Sequence, residues 1–332
     1  MIRTLLVLLG STLSVVLFAA EPKAPETNIE FRNATIHDGS GKPPVKGDIH
    51  IKGEKIAAVG KVGKIDGAME IDAAGLVICP GFIDLHTHCD GGSAISSKAG
   101  RANKNYVTQG VTTVVTGNCG SGPVDAGRFL KAIDDNGAGT NVIHLAPHNN
   151  IRERVMGNAN RPPTSEELAK MEDLVEKAMT DGTWGLATGL IYNPGTYART
   201  DELIALAKVA GKHGGMYASH IRDESGGLLT SIEEAVAIGR ESGCRVHISH
   251  IKASGKASWG ASGRAVGLIE DFRKKGLEVT ADQYPYIASS TSLRATIVPS
   301  RYSEGTDKEY VARLDDAKIG PKIKAELEKA LA

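Results

Sequence analysis

From residue 76 onward short apolar runs alternate with longer amphipathic segments, and this alternation constrains the fold more than any other feature. The strand candidates are "GLVICPGFIDL", "VTTVVTG", "TNVIHLA", "WGLATGLIY", "GGMYASH", "CRVHISH" and "LEVTADQY". Clear helices lie between several of them. In "PTSEELAKMEDLVEKAM", Thr164 stands at an N-cap and Glu167 three residues on, the pattern of a capping box. Leu168, Met171, Leu174, Val175 and Met179 then fall on one apolar stripe. "TDELIALAKVAGKHGG" repeats the theme, with Leu203, Ile204, Leu206, Ala207 and Ala210 inward, and "LLTSIEEAVAIGRESG" is a third helix. Strands alternating with helices imply a parallel sheet with covering helices. Seven such strands favour a (β/α)8 TIM-type barrel over an open doubly wound sheet, whose GxGxxG fingerprint is absent. After "ADQYPY" come an irregular stretch and a last helix, "GPKIKAELEKALA", with no eighth strand. The expected barrel, residues 76–332, therefore lacks strand 8 and leaves strands 1 and 7 as edges.

Residues 28–75 read differently. "IEFRNATIHDG", "GDIHIKGEKIAAVG" and "AMEIDAAGLVI" are short Ile- and Val-containing runs separated by Gly, Asp and Lys turns. They predict a small β-sandwich-like domain ahead of the barrel. The first 20 residues, with Arg3 before the apolar run Leu5 to Phe18, read as an export signal, followed by a linker over 21–27. The expected location is periplasmic or secreted, with no membrane association beyond export. Thirty-nine basic residues balance thirty-nine acidic ones, which disfavours nucleic acid as a partner. Four cysteines in 332 residues do not make a disulfide scaffold.

Active sites of such barrels gather at the C-terminal ends of the strands. Strand 1 ends in "HTH", whose His86 and His88 are two residues apart and so share a face. Strand 2 ends in Cys119, strand 5 in His220 and strand 6 in His250. Five strand-end donors on one rim predict a metal site. Nitrogen donors with one thiolate suit Zn²⁺, which lowers the pKa of bound water to about 7 and polarises carbonyls. His144, His148, His213 and His247 are expected to be incidental; His247 has the opposite parity to His250 and should face the helices.

"PGFIDLHTHCD", "VTTVVTGNCGSGP", "GLATGLIYNPGTYA", "ASHIRDE", "HISHIKASGK" and "TADQYPY" together resemble the amidohydrolase superfamily, in its D-aminoacylase (N-acyl-D-amino-acid deacylase) branch. The resemblance implies hydrolysis of a small N-acylated D-amino acid to a free D-amino acid and a carboxylate. It implies one tight zinc on Cys119, His220 and His250, and a second, weaker site on His86 and His88 with Cys119 able to bridge. It further implies that Lys252 and Tyr284 meet the substrate's α-carboxylate, and that Tyr192 is a pocket wall or carbonyl contact. Arg222 and Glu224 are expected to form an ion pair supporting His220. The family's catalytic aspartate ends strand 8, so the catalytic base is unassigned here. Asp90 and Asp282 are the nearest carboxylates and neither follows the family's pattern. General acid–base help is worth roughly 100- to 10,000-fold, so activity of these 332 residues alone is expected to be impaired. The alternatives are a cyclic-amide hydrolase of the hydantoinase or dihydroorotase kind, and an inactive zinc-holding barrel fragment. The former often uses a strand-4 lysine to bridge its metals, and "WGLATGLIY" has none.

Overall fold

A computed structural model of the chain describes residues 26–91 and 95–331. The stretch read as an export signal lies outside the described residues. The chain divides into two units at Pro80/Gly81. In the first, β1 (Asn28–Ile36), β2 (Val45–Lys52), β3 (Lys55–Gly60), β4 (Met69–Asp72) and β5 (Val77–Ile78) form one sheet. Its order is β3-β2-β1-β4, with β5 also on β1. Ala34, Ile36, Ile49 and Ala73 make its small core. Where a sandwich-like pattern was expected, the described residues form this single sheet.

The boundary falls five residues later than the sequence pattern suggested, because the run Leu76 to Leu85 is two strands and not one. β5 pairs with β1, whereas β6 (Phe82–Asp84) pairs with β7 (Val111–Thr116) in the second unit. Pro80 has no amide hydrogen to continue a ladder. Gly81 lets the backbone pass close to β7: a Cβ there would stand 2.2 Å from the Thr112 side chain.

The second unit continues with α1 (Lys104–Val107), α2 (Ala126–Asn136), β8 (Asn141–His144), β9 (Ala146–Pro147), α3 (His148–Met156), α4 (Ser165–Thr180), β10 (Gly185–Gly189), α5 (Thr200–Lys212), β11 (Met216–His220), α6 (Leu228–Ser242), β12 (Arg245–Ile248), α7 (Ala261–Lys274) and β13 (Val279–Ala281). Three helices follow, α8 (Leu293–Ile297), α9 (Asp307–Asp315) and α10 (Gly320–Leu331). All the strand pairs of this unit are parallel. β8 and β9 are one strand interrupted at Leu145. β8 pairs with β7 and β9 with β10, and the break is bridged by Leu145 N donating to Thr116 O and Trp184 N to His144 O. Among the described residues the strands of this unit thus follow one another in sequence order, at seven positions.

Side-chain alternation sorts each strand into two faces. Leu186, Tyr217, Val246 and Ile248 face outward and pack with Val175, Leu203, Leu206, Ile232 and other helix residues. Burying each such aliphatic side chain contributes about 1.5–3 kcal/mol. Val115, Leu145, Ala187 and Ala218 form a separate inner layer. The α4 capping box is present: Glu167 N donates to Thr164 Oγ1, and Thr164 N to Glu167 Oε2. Among the described residues no strand pairs β6 with β13, and Phe82 and Ile83 are each 60% exposed. The sheet nevertheless curls far enough to bring His86 Nδ1, just beyond β6, within 3.4 Å of Asp282 Oδ2, just beyond β13.

Candidate metal centre

Cys119 is held by its loop. Gly117 and Gly120, on either side, have φ of +80° and +68°. A Cβ at Gly117 would lie 2.1 Å from Leu145 O, and one at Gly120 2.2 Å from Asn149 Oδ1. Only glycine passes at both positions. Asp90 Oδ2 accepts from Gly117 N at 2.9 Å, and Asn149 bonds both the N–H and the carbonyl of Gly189. Cys119 itself has φ +53° and His250 φ +37°. Left-handed backbone at a non-glycine residue costs about 1–3 kcal/mol and concentrates at functional sites.

The structure brings together all five residues singled out at the strand ends. Cys119 Sγ lies 3.4 Å from His86 Nε2, 3.6 Å from His220 Nδ1 and 3.5 Å from His250 Nε2. His86, His88 and Cys119 form one set of converging donors, and Cys119, His220 and His250 another, the donor atoms of each within 4.8 Å of one another. Zn–S of about 2.3 Å and Zn–N of about 2.0–2.1 Å at a tetrahedral angle require S···N of about 3.6 Å. The three separations match that requirement, so the residues fit zinc.

The outward nitrogen of each of the three central imidazoles faces a carboxylate. His86 Nδ1 is 3.4 Å from Asp282 Oδ2, His220 Nε2 3.5 Å from Glu224 Oε2, and His250 Nδ1 2.9 Å from Glu224 Oε1. At these separations His86 Nδ1 and His220 Nε2 are buried without a hydrogen-bond partner, so each carboxylate is a nearby acceptor for the hydrogen an imidazole carries on its outward nitrogen when the inner one ligates. Burial, reinforced by Glu224 and Asp282, pushes the metal-free Cys119 thiol up to about 12. Burial lowers His220 to about 3, against the opposing pull of Glu224. The pocket thus prefers a neutral imidazole, and it holds a thiolate only when a cation shares it.

Several expectations are corrected. Arg222 does not pair with Glu224; its guanidinium binds Glu234 at 2.9 Å and the carbonyls of Thr196 and Ala198. Glu224 turns instead to the histidines and to Lys252 Nζ, 2.5 Å away. His247 is not incidental and does not face the helices. It is register partner to Ala218 and Thr280 on the inner face, and its Nε2 lies 2.7 Å from Asp282 Oδ2. The parity argument failed because His250 lies beyond β12 with positive φ, where strict alternation has ended. Asp282 is drawn into the site through His86, His247 and the amide of His250. His144 and His148 are fully buried and bonded to Thr116 and Glu202, and His213 meets Glu176 at a helix end.

Tyr192 stands edge-on to His220, ring centroids 5.0 Å apart, with its hydroxyl 2.8 Å from Thr291 Oγ1. It lines a cavity of about 280 Å³ together with His88, Cys119, Ser121 and Asn149. Lys252 and Tyr284 lie together, the ammonium 5.5 Å from the ring centroid, and Lys252 already neutralises Glu224. Asn149, which ties the Cys119 loop to β10 and to Tyr192 O, carried no sequence signal.

A run of parallel strands whose C-terminal ends converge on a buried cysteine ringed by histidines defines an α/β unit of the (β/α) kind with a candidate metal centre. The chain belongs to the amidohydrolase family, which it matches over residues 69–325. It is 36% identical to D-aminoacylase of Alcaligenes xylosoxydans xylosoxydans over 283 residues, 78% of this chain and 57% of that protein. It is 38% identical to the N-acyl-D-aspartate deacylase of the same organism, over 79% of this chain and 56% of that one. The crystal structure of N-acyl-D-glutamate deacylase from Bordetella bronchiseptica, complexed with zinc and a phosphonate inhibitor, superposes with a TM-score of 0.76 at 33% identity. The match covers 82% of this chain and 62% of that one. The chain therefore spans somewhat more than half the length of these relatives.

Proposed function

We propose that the chain carries the zinc centre of an N-acyl-D-amino-acid amidohydrolase, which cleaves the amide bond to give a D-amino acid and a carboxylate. The observation that supports this reading best is the set of three Cys119–histidine separations, 3.4–3.6 Å, at the spacing tetrahedral zinc demands. Zinc in the Bordetella deacylase and the names of the relatives point the same way. Cys119, His220 and His250 would hold the tight ion, and His86 and His88 a second one that shares Cys119. Bound there, zinc supplies an activated water and polarises the substrate carbonyl. Tyr192 walls the cavity in which the acylated amine would sit, and Asn149 fixes that wall by accepting and donating at Gly189 and donating to Tyr192 O. Glu224 and Asp282 stand 2.9–3.5 Å from the outward nitrogens of the imidazoles and would accept their hydrogens when the inner nitrogens ligate. Lys252 and Tyr284 are the candidates for the substrate's α-carboxylate, with Lys252 sharing its ammonium with Glu224.

A second reading, zinc binding without turnover, is favoured by one observation: Asp90 and Asp282 are both committed to structural bonds, so neither is free as a general base. Elemental analysis for zinc, paired with a panel of N-acetyl-D-amino acids and their L-isomers, separates the two. Zinc with D-selective release of acetate supports the deacylase reading, and zinc without turnover supports the second. Absence of zinc after reconstitution sinks both.

A further inference from the structure

The donors of the centre converge on one sulfur, yet the imidazoles of the two halves face different carboxylates. The imidazole of His86 is backed by Asp282 Oδ2 at 3.4 Å, and by no glutamate. The imidazoles of His220 and His250 are backed by the two oxygens of one carboxylate, Glu224, at 3.5 and 2.9 Å. Each carboxylate is tethered by a different part of the barrel. Asp282 follows β13 and is gripped by His247 Nε2 at 2.7 Å, while its other oxygen accepts from the His250 backbone amide. Glu224 follows β11 and is gripped by Lys252 Nζ at 2.5 Å, while its carbonyl accepts from Ser254 N.

Resting on the metal-centre reading above, we propose that the two halves of the centre have separate positioning carboxylates: Asp282 sets the ring orientation and tautomer of His86, and Glu224 sets those of His220 and His250. The argument is one of proton placement. An imidazole that ligates through one nitrogen must carry its hydrogen on the other, and a carboxylate, which only accepts, enforces this. His86 presents Nε2 to Cys119, and its buried Nδ1, which has no hydrogen-bond partner, has Asp282 Oδ2 3.4 Å away as the carboxylate to which it would donate once Nε2 ligates. An asparagine at 282 can keep its carbonyl oxygen on the His250 amide, but it then turns an NH₂ group towards His86. That donor requires a lone pair on Nδ1, which moves the hydrogen to Nε2 and removes His86 as a ligand. His250 faces the same choice. Its Nδ1 lies 2.8 Å from Lys252 Nζ and 2.9 Å from Glu224 Oε1, and only donation to Glu224 leaves Nε2 free towards Cys119. The division makes the two half-sites separately adjustable although they share a sulfur.

The test is a titration of the metal-free 332-residue chain with Co²⁺ alone, following the thiolate-to-cobalt charge-transfer band and the visible d–d bands. The parent should take up two equivalents. In D282N the first step should keep its spectrum and affinity, and the second should weaken by about 10–100-fold, the usual effect of losing such a partner. In E224Q the first step should weaken by about the same factor and its d–d bands should shift. H86A supplies the decisive control: if Asp282 acts through His86, adding D282N to H86A should change the titration by less than about twofold. Equal weakening of both steps in both variants would overturn the division, as would an additive H86A/D282N double variant. A D282N chain without a cooperative thermal melt would do so too, by showing a merely structural role. A parent that takes up one equivalent refutes the division but leaves the metal centre standing. A parent with no thiolate band refutes both.

Discussion

Metal binding at Cys119 should be a proton exchange, and the structure sets its size. Without a cation the Cys119 thiol is held up to about 12, by burial first and by the charges of Glu224 and Asp282 next. At pH 8 the thiolate then lies about four units uphill, or about 5 kcal/mol at 1.36 kcal/mol per unit. The metal must overcome this cost each time it binds. The sign follows directly: raising the pH removes the proton that competes with zinc, so affinity rises. Between about pH 8 and pH 10, both below the thiol's raised value, the apparent Kd should fall about tenfold per unit, about 100-fold overall. His220 adds nothing to this slope, because burial lowers it to about 3 and it is neutral throughout. The assay is a competition titration of the metal-free chain against a chelator of known affinity at several pH values, repeated with C119A. The parent should show a slope near one in log Kd. The variant should bind far more weakly, with the slope gone. A parent slope below about one half, or a C119A chain that keeps the slope, would refute the claim that Cys119 is the proton-releasing ligand.

Three further outcomes follow from the packing. G120A should lose most of its zinc while still folding, because its Cβ would stand 2.2 Å from Asn149 Oδ1 at φ +68°; elemental analysis and a thermal melt check the two halves of that statement. R152M strands the buried Glu202, which Arg152 and His148 jointly hold at 3.1 Å, so it should lower stability by about 3–5 kcal/mol in urea unfolding. T164A removes one half of the α4 capping box and should cost about 1 kcal/mol while leaving the zinc stoichiometry unchanged.

The parts of this molecule legible in the sequence are those governed by a period. The heptad-like stripe of α4, the Thr164–Glu167 cap and the two-residue step from His86 to His88 are local patterns that backbone geometry translates directly. The placing of donors at strand ends, on strands 1, 2, 5 and 6, is equally readable, because each lies where an apolar run stops. Illegible were the contacts that depend on where alternation stops. The run through "VICPGFID" is continuous in hydropathy, so only the missing amide of Pro80 and the close approach at Gly81 reveal that it serves two units. His247 was misassigned for the same reason. Parity counted back from His250 presumes an extended chain, and the positive φ at His250 resets the count. That reset is also what places the imidazole of His250 beside Cys119 while its amide reaches Asp282. The departures from regular backbone at Cys119 and His250 are thus the steps that turn a row of strand ends into a cluster. A sequence reader sees the row; the strained residues that close it leave no pattern. Sites of this kind should therefore be sought where a periodic argument yields donors that fall just short of meeting.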